Sequence, residues 1–314
     1  MTMTAAEQQA NVSLMQRVQF LDQQVMLGLP DADMADAVAR LFGAHCTPVY
    51  LRQPAEYADI MVESEAVDQD AVSSSSCGTA DDDARTYRML EPAAAQGVGG
   101  DIRLCDRRLA GTMRTLAEVR ERVQFRLIAA QNSHLMFHGA MAVRNGKAVL
   151  FPGQSGAGKT TLSAWLSGQA FTVCSDELVA VDAAYQATGF GQALNLKPAS
   201  VPVVRDFPWL RDVFSIAIPS ALGGCFLPCV SATETPRWWP LKALVFPNYK
   251  QDEPFTVERL SSGLATQRMI ESLLNARNFD RLAIPQLVAM TAALPAYSVV
   301  YQSLDPIAAW LDTL

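Results

Sequence analysis

The sequence predicts an α/β fold. Its larger part, residues 113–314, is built on a mixed sheet, and a smaller α+β region fills residues 1–112. Three observations lead there. Gly153-Gln154-Ser155-Gly156-Ala157-Gly158-Lys159-Thr160 fits G-x-x-x-x-G-K-[ST], with an apolar strand at 148–151 before it and a helical run at 161–166 after it. Residues 135–143 and 147–151 are β-like and joined through Asn145-Gly146, the strongest short hairpin signal. Beyond the glycine-rich segment, short apolar strands alternate with helical runs as far as residue 314. The strand entering the glycine-rich segment is therefore the second arm of an antiparallel hairpin, which makes the sheet mixed rather than all parallel.

The glycine-rich pattern is that of a phosphate-binding P-loop. Glycines let successive backbone N–H groups turn inward into a nest of donors, and the helix that follows adds the positive end of its dipole. In that chemistry Gly153 to Thr160 and the adjoining Thr161 hold the phosphates of ATP. Lys159 sets its charge on the β- and γ-phosphates, and the Thr160 hydroxyl holds Mg²⁺.

The totals limit the partners. The chain has 314 residues, half of them apolar, enough for one large domain or two small ones. A net charge of −7 argues against general attraction to nucleic acid or anionic lipid. No apolar run reaches membrane-spanning length, and residues 1–19 lack the apolar segment of a secretory signal. Of six cysteines only Cys225 and Cys229 are close, a spacing that is poor evidence for zinc. These features predict a cytosolic protein with reduced thiols.

Taken in order, residues 5–29, with Val12, Met15, Phe20 and Val25 among polar residues, predict one helix. A second helix follows Pro30, capped by Asp31 or Asp33, with Met34, Val38, Leu41 and Phe42 as its apolar stripe. Residues 49–51 and 59–62 predict strands. From 63 to 100 the chain is rich in Ser, Asp and Gly and predicts a flexible loop or hairpin tip, either a solvated insertion or a lid. Thr115 and Glu118 have capping-box spacing at the start of a helix carrying Leu116, Val119, Val123 and Leu127. After the loop helix come a strand at 171–174, a hairpin from 178–181 to the Gly189 region, and a strand ending at Pro198. Residues 205–240 resist assignment. A buried strand at 243–246, helices at 261–275 and 286–294, and a strand at 298–301 follow. A last helix starts at Asp305-Pro306, with Pro at its first position.

Phosphoryl transfer needs a carboxylate to hold metal and a group to take the acceptor's proton. Asp176 and Glu177, at the end of the strand after the loop helix, are the candidates, Asp176 toward Mg²⁺ and Glu177 toward the hydroxyl. His138, on the hairpin strand before the loop, is a further candidate, weighed against an ordinary structural histidine.

These residues carry a resemblance. The run Leu135-Met136-Phe137-His138-Gly139-Ala140, the hairpin, Gly153 to Thr160 and then Cys174-Ser175-Asp176-Glu177-Leu178 resemble the HPr kinase/phosphorylase superfamily, which shares its core with phosphoenolpyruvate carboxykinases. The chain is most similar to its HPr-kinase-related branch, which includes kinases accompanying lasso-peptide and other peptide-modification genes. The Leu196-Lys197 pair, the 244–247 strand and Asn275-Ala276-Arg277-Asn278 also resemble that branch. The likeness is good over about residues 130–200 and weaker to the C-terminus, while residues 1–110 add little.

The resemblance implies a kinase moving the γ-phosphoryl of ATP to a serine-type hydroxyl of a peptide or protein, with Asp176 assisting the metal and Glu177 as base. It implies that His138 tunes the acids or touches the transferred phosphate. Lys197 becomes a candidate for neutralising transition-state charge, with Arg205 and Arg237 as weaker ones. Members of the superfamily often form oligomers, so a homo-oligomer is allowed. Residues 218–228 lack the basic Lys-Gly segment and histidine that some relatives carry there, and the C-terminal segment tied to HPr docking is missing, which argues against HPr as substrate. Two alternatives share the same residues: a kinase of a small hydroxyl compound such as a sugar, polyol or amino acid, and a nucleotide-binding regulator without transfer.

Overall fold

The computed structural model describes residues 14–49, 58–65, 85–91, 106–153, 156–228, 237–279 and 281–314. It is mixed α/β, and contacts divide the chain into two units, Met1–Leu127 with Ile218–Ala221, and Ile128–Ala217 with Leu222–Leu314.

In the first unit β1 (Leu14–Phe20) and β2 (Gln23–Leu29) form an antiparallel hairpin, so the single helix expected over 5–29 is corrected over its described part. Val18 and Phe20, then Val25, Leu27 and Leu29, recur at every second residue, and these side chains are buried. The five-residue steps from Met15 to Phe20 and from Phe20 to Val25 had mixed two strand faces. Helix α1 (Ala32–Phe42) is as expected: Asp31 accepts from the Met34 N–H, and Met34, Val38, Leu41 and Phe42 are buried.

The strand expected at 59–62 is matched by β4 (Ile60–Glu65), whereas the one expected at 49–51 meets β3 (Cys46–Val49) only at Val49, with Tyr50 and Leu51 outside the described residues. The region expected to be loop over 63–100 contains the end of β4 and all of β5 (Thr86–Leu90), and β6 (Asp106–Ala110) follows. The strand order is β3-β1-β2-β4-β5-β6. Tyr87 and Met89 face inward on β5, two apolar anchors too few to stand out in so polar a stretch. The remainder of 63–100 lies outside the described residues.

Helix α2 (Thr112–Ala130) starts three residues before the expected capping box. Thr115 donates to the Gly111 carbonyl at 3.0 Å from inside the helix, and Glu118 receives Arg107 at 2.7 Å and Arg122 at 3.0 Å. Both side chains are thus engaged elsewhere than at a helix cap.

The second unit carries the larger sheet, formed by β7 (Leu135–Arg144), β8 (Lys147–Pro152), β9 (Thr172–Ser175), β10 (Leu178–Val181), β11 (Gln186–Gly189), β15 (Trp239–Tyr249), β16 (Thr256–Arg259) and β17 (Ala296–Tyr301). Its main path runs β11-β10-β7-β8-β15-β17-β16, with β9 also on β7. Asn145 and Gly146 take φ of 52° and 74°, the pair of positive angles that a type I′ hairpin requires. β8 is antiparallel to β7 and parallel to β15, so the mixed sheet is as expected.

Alternate residues feed two cores. Phe137, Met141, Leu150 and Leu244 pack with α6 (Ser262–Ile270) and α7 (Ala283–Ala293). Ala140, Ala142, Phe151 and Val245 pack with α3 (Lys159–Leu166) and α8 (Leu304–Thr313). The span left unassigned holds α4 (Val201–Arg205), α5 (Arg211–Phe214), β13 (Ile218–Pro219) and β14 (Cys225–Leu227); β14 pairs with β12 (Leu194–Leu196). Cys225 is buried in β14, and Cys229 lies outside the described residues.

Two helix boundaries are corrected. α8 begins at Leu304 after an extended Ser303 rather than at Pro306. α6 stops at Ile270 instead of running to 275, because the next residues pair with β7: His138 N–H donates to Ser272 O and Leu274 N–H to Met136 O, both at 2.8 Å. Asn275, 1% exposed, accepts from Met136 N–H and donates to the Gln131 and His134 carbonyls, while Asn278 donates to the Ile128 and Gln131 carbonyls that end α2. Among the described residues no helix is long and apolar enough to cross a membrane.

His45 gives the first unit a pH dependence. It is 8% exposed, its Nδ1–H donates to Gln19 O at 3.0 Å, and burial holds its pKa below the usual 6.5 against the opposing pull of that hydrogen bond. As pH falls through 6.5 the unfolded chain binds a proton that the folded one refuses. Stability is therefore full above that pH and declines below it until the folded imidazole also protonates. Urea midpoints measured from about pH 7 to about pH 5 should fall less steeply for His45→Gln than for the parent. Parallel slopes would contradict this account.

Candidate functional site

The glycine-rich loop leaves β8 at Pro152 and delivers Lys159 at the start of α3, with Gln154 and Ser155 outside the described residues. Gly158 takes φ of +88°, and a Cβ there would lie 2.5 Å from the Tyr301 hydroxyl and 3.1 Å from Tyr249 Cβ. Only glycine meets both the left-handed backbone and that approach. The chain then turns straight into helix, with Leu162 N–H donating to Gly158 O at 2.9 Å.

Lys159 is 6% exposed. Its ammonium donates to Gly153 O at 2.5 Å and stands 3.3 Å from His138 Nε2. His138 Nδ1 in turn lies 3.5 Å from Glu177 Oε1. With the lysine charged, Nε2 accepts and Nδ1 carries the proton that faces the carboxylate, so lysine, imidazole and acid form one chain of contacts. Burial pulls the Lys159 pKa below its ordinary value, Glu177 and Asp176 hold it up, and Lys197 adds to the lowering. Those four charged groups therefore feel one another.

The acidic pair occupies the bend between β9 and β10. Ser175, buried at the end of β9, accepts from Glu177 N–H at 3.2 Å and Leu178 N–H at 3.0 Å, which shapes the bend. Gly139 N–H donates to Glu177 O at 3.1 Å, and Leu178 pairs with His138 across the sheet. The pairing of β10 on β7 thus brings His138 and Glu177 together. Asp176, beside Glu177 in this bend, is 2% exposed, and its carboxylate oxygens are buried.

One cavity has a volume of about 610 Å³. It collects most of the residues expected from the sequence: His138, Gly156, Gly158, Lys159, Thr160, Thr161, Asp176, Glu177 and Lys197. Gly153 and Ala157 border instead a second cavity of about 430 Å³, whose lining includes Arg268 and Glu271. Arg205 and Arg237 line neither; their guanidinium groups lie over Phe214 and Trp239. Sequence reading missed Asn195, Tyr249, Tyr301 and Gln302, which also border the larger cavity. The polar Gln302-Ser303 step directly after the apolar β17 could have marked Gln302, but not the other three.

The donors suit a hard divalent cation. Thr160, which carries a hydroxyl, and Asp176, whose carboxylate oxygens are buried, both border the larger cavity. Mg²⁺ uses one or two carboxylates and completes its shell with phosphate and water. Groups of three or more His, Cys, Asp or Glu placed to hold a metal do not occur among the described residues. Compared with models of known protein families the chain matches none, and no curated protein matches it.

The contact at Gly158 is open to measurement. Gly158→Ala should cost about 2–4 kcal/mol by urea unfolding, from backbone strain and the Tyr301 hydroxyl together. In a double-mutant cycle with Tyr301→Phe the two changes should couple by about 1 kcal/mol. Strict additivity would mean the two groups do not meet.

Proposed function

We propose that the chain is an ATP- and Mg²⁺-dependent kinase, with a P-loop core of the HPr kinase/phosphorylase type, that transfers the γ-phosphoryl group to a serine-type hydroxyl of a peptide or protein. The observation that carries the reading is the convergence of Lys159, Thr160, Asp176, Glu177 and His138 on one cavity beside a glycine-rich loop. The choice of a peptide or protein acceptor follows the resemblance to peptide-modifying kinases. The acidic net charge and the scattered cysteines support a cytosolic setting.

Each side chain has a task in that reaction. Lys159 and the loop amides neutralise the terminal phosphates, most strongly where charge builds up during transfer. Thr160 and Asp176 would hold Mg²⁺, which would supply charge to screen the phosphate oxygens. The acceptor oxygen forms a bond to phosphorus as the bond to the ADP oxygen breaks, and the hydroxyl proton passes to the Glu177 carboxylate. His138 holds Glu177 in place through Nδ1. Lys197 offsets charge on the transferred group.

Labelled ATP incubated with peptide and metabolite pools tests the reading. Lys159→Ala should abolish detectable transfer, and near-normal turnover in that variant would overturn the site. Glu177→Gln should keep nucleotide affinity within about threefold and lose about 10²–10⁴ in transfer rate, the range for a missing general base. Label appearing only in small metabolites would replace the peptide acceptor with a small hydroxyl compound. Tight ATP binding with no product in any pool would make the chain a regulator.

A further inference from the structure

The kinase reading uses His138, Lys159, Thr160, Asp176, Glu177 and Lys197 of the 610 Å³ cavity's lining and leaves Val203, Tyr249, Gln302, Ser303 and Leu304 unassigned. The remaining lining is chemically different. Val203 on α4, Leu304 at the start of α8 and Tyr249 bring apolar side chains to it, with Gln302 and Ser303 as polar ones. Val203 is 47% exposed and Tyr249 50%, although both border a concavity. Apolar walls with a few placed polar groups are how proteins hold a flat heterocycle.

The two walls belong together. Leu304 packs in the same apolar cluster as Val201 and Val204 of α4, and α3 touches both α4 and α8. Thr160 and Thr161, one and two residues beyond Lys159 on α3, also face the cavity. A triphosphate whose terminal groups lie on Lys159 therefore extends past Thr161 toward Val203 and Leu304. In-line transfer places acceptor and leaving group on opposite sides of phosphorus, so the Glu177 end must stay open for the hydroxyl.

We propose that the nucleoside of the triphosphate donor sits against Val203, Leu304 and Tyr249, with Gln302 and Ser303 contacting base or ribose, and that the acceptor enters at the end marked by His138 and Glu177. This inference rests on the kinase reading and adds a direction to it.

The test compares two ligands that differ only in the nucleoside, ATP and inorganic tripolyphosphate, titrated with Mg²⁺ into the full chain. Val203→Trp fills the proposed subsite from an exposed position. It should weaken ATP by about tenfold or more and leave tripolyphosphate within about twofold. Equal weakening of both ligands, or of neither, overturns the subsite while leaving the phosphate site standing. If neither ligand binds the parent protein in a Lys159-dependent way, the kinase reading falls and this inference with it. Photolabelling of the parent protein with 8-azido-ATP decides independently of how that variant folds. Label in peptides covering 199–203 or 301–304 supports the assignment; label confined to peptides covering His138 or 175–177 reverses the polarity and overturns it.

Discussion

A lysine ammonium taken almost wholly out of water has to be compensated, and that requirement organises the larger unit. A carbonyl and two acids close to Lys159 favour its ammonium form, against a burial that favours the neutral amine. The Gly153 carbonyl must therefore turn inward at the point where β8 stops, and the chain that makes this turn has a Cβ-free residue at Gly158, against Tyr301. In the proposed kinase reading, a phosphate placed there would take over part of what Gly153 O supplies to the lysine.

The acid side of the arrangement depends on strand register. β7 is paired on both edges, with β8 on one and with β9 and β10 on the other, and the segment after α6 joins it near His138. Its pairing sets Leu178 opposite His138 and gives Glu177 a backbone bond from Gly139. A slip of one residue would turn His138 to the opposite face of the sheet and empty the contact with Glu177. Asn275 and Asn278 oppose such a slip by fixing the chain just before β7, at carbonyls 131 and 134. These two residues, noted in the sequence only as a likeness, have a structural task that explains their spacing: one amide serves the strand entrance and the other the helix end.

Local chemistry was legible where it is strict. Asn145-Gly146 demands one backbone path and was read correctly, and Asp31, one of the two caps weighed, is the residue that starts α1. Illegible features were those decided at long range. Residues 14–29 read as helix because the spacing of a few apolar residues was counted before the alternation beginning at Val18. β5 and β6 were hidden because they pair with each other and β4 through residues as polar as Arg88 and Arg108. The cavity was half legible: the residues touching charge stand in a motif, whereas Tyr249, Tyr301 and Gln302 arrive from the ends of distant strands. No local pattern links position 249 to position 158.

The hairpin between β7 and β8 has a use beyond its part in the sheet. Its tip, Asn145-Gly146, is exposed and lies six residues of strand, about 20 Å, from the glycine-rich loop at the other end of β8. Broken there, the chain would lose one tight turn and none of the groups that meet at Lys159. That tip is where a fluorophore, a tether to a surface or a new pair of termini could be placed, giving an instrumented version of the molecule whose chemistry is undisturbed.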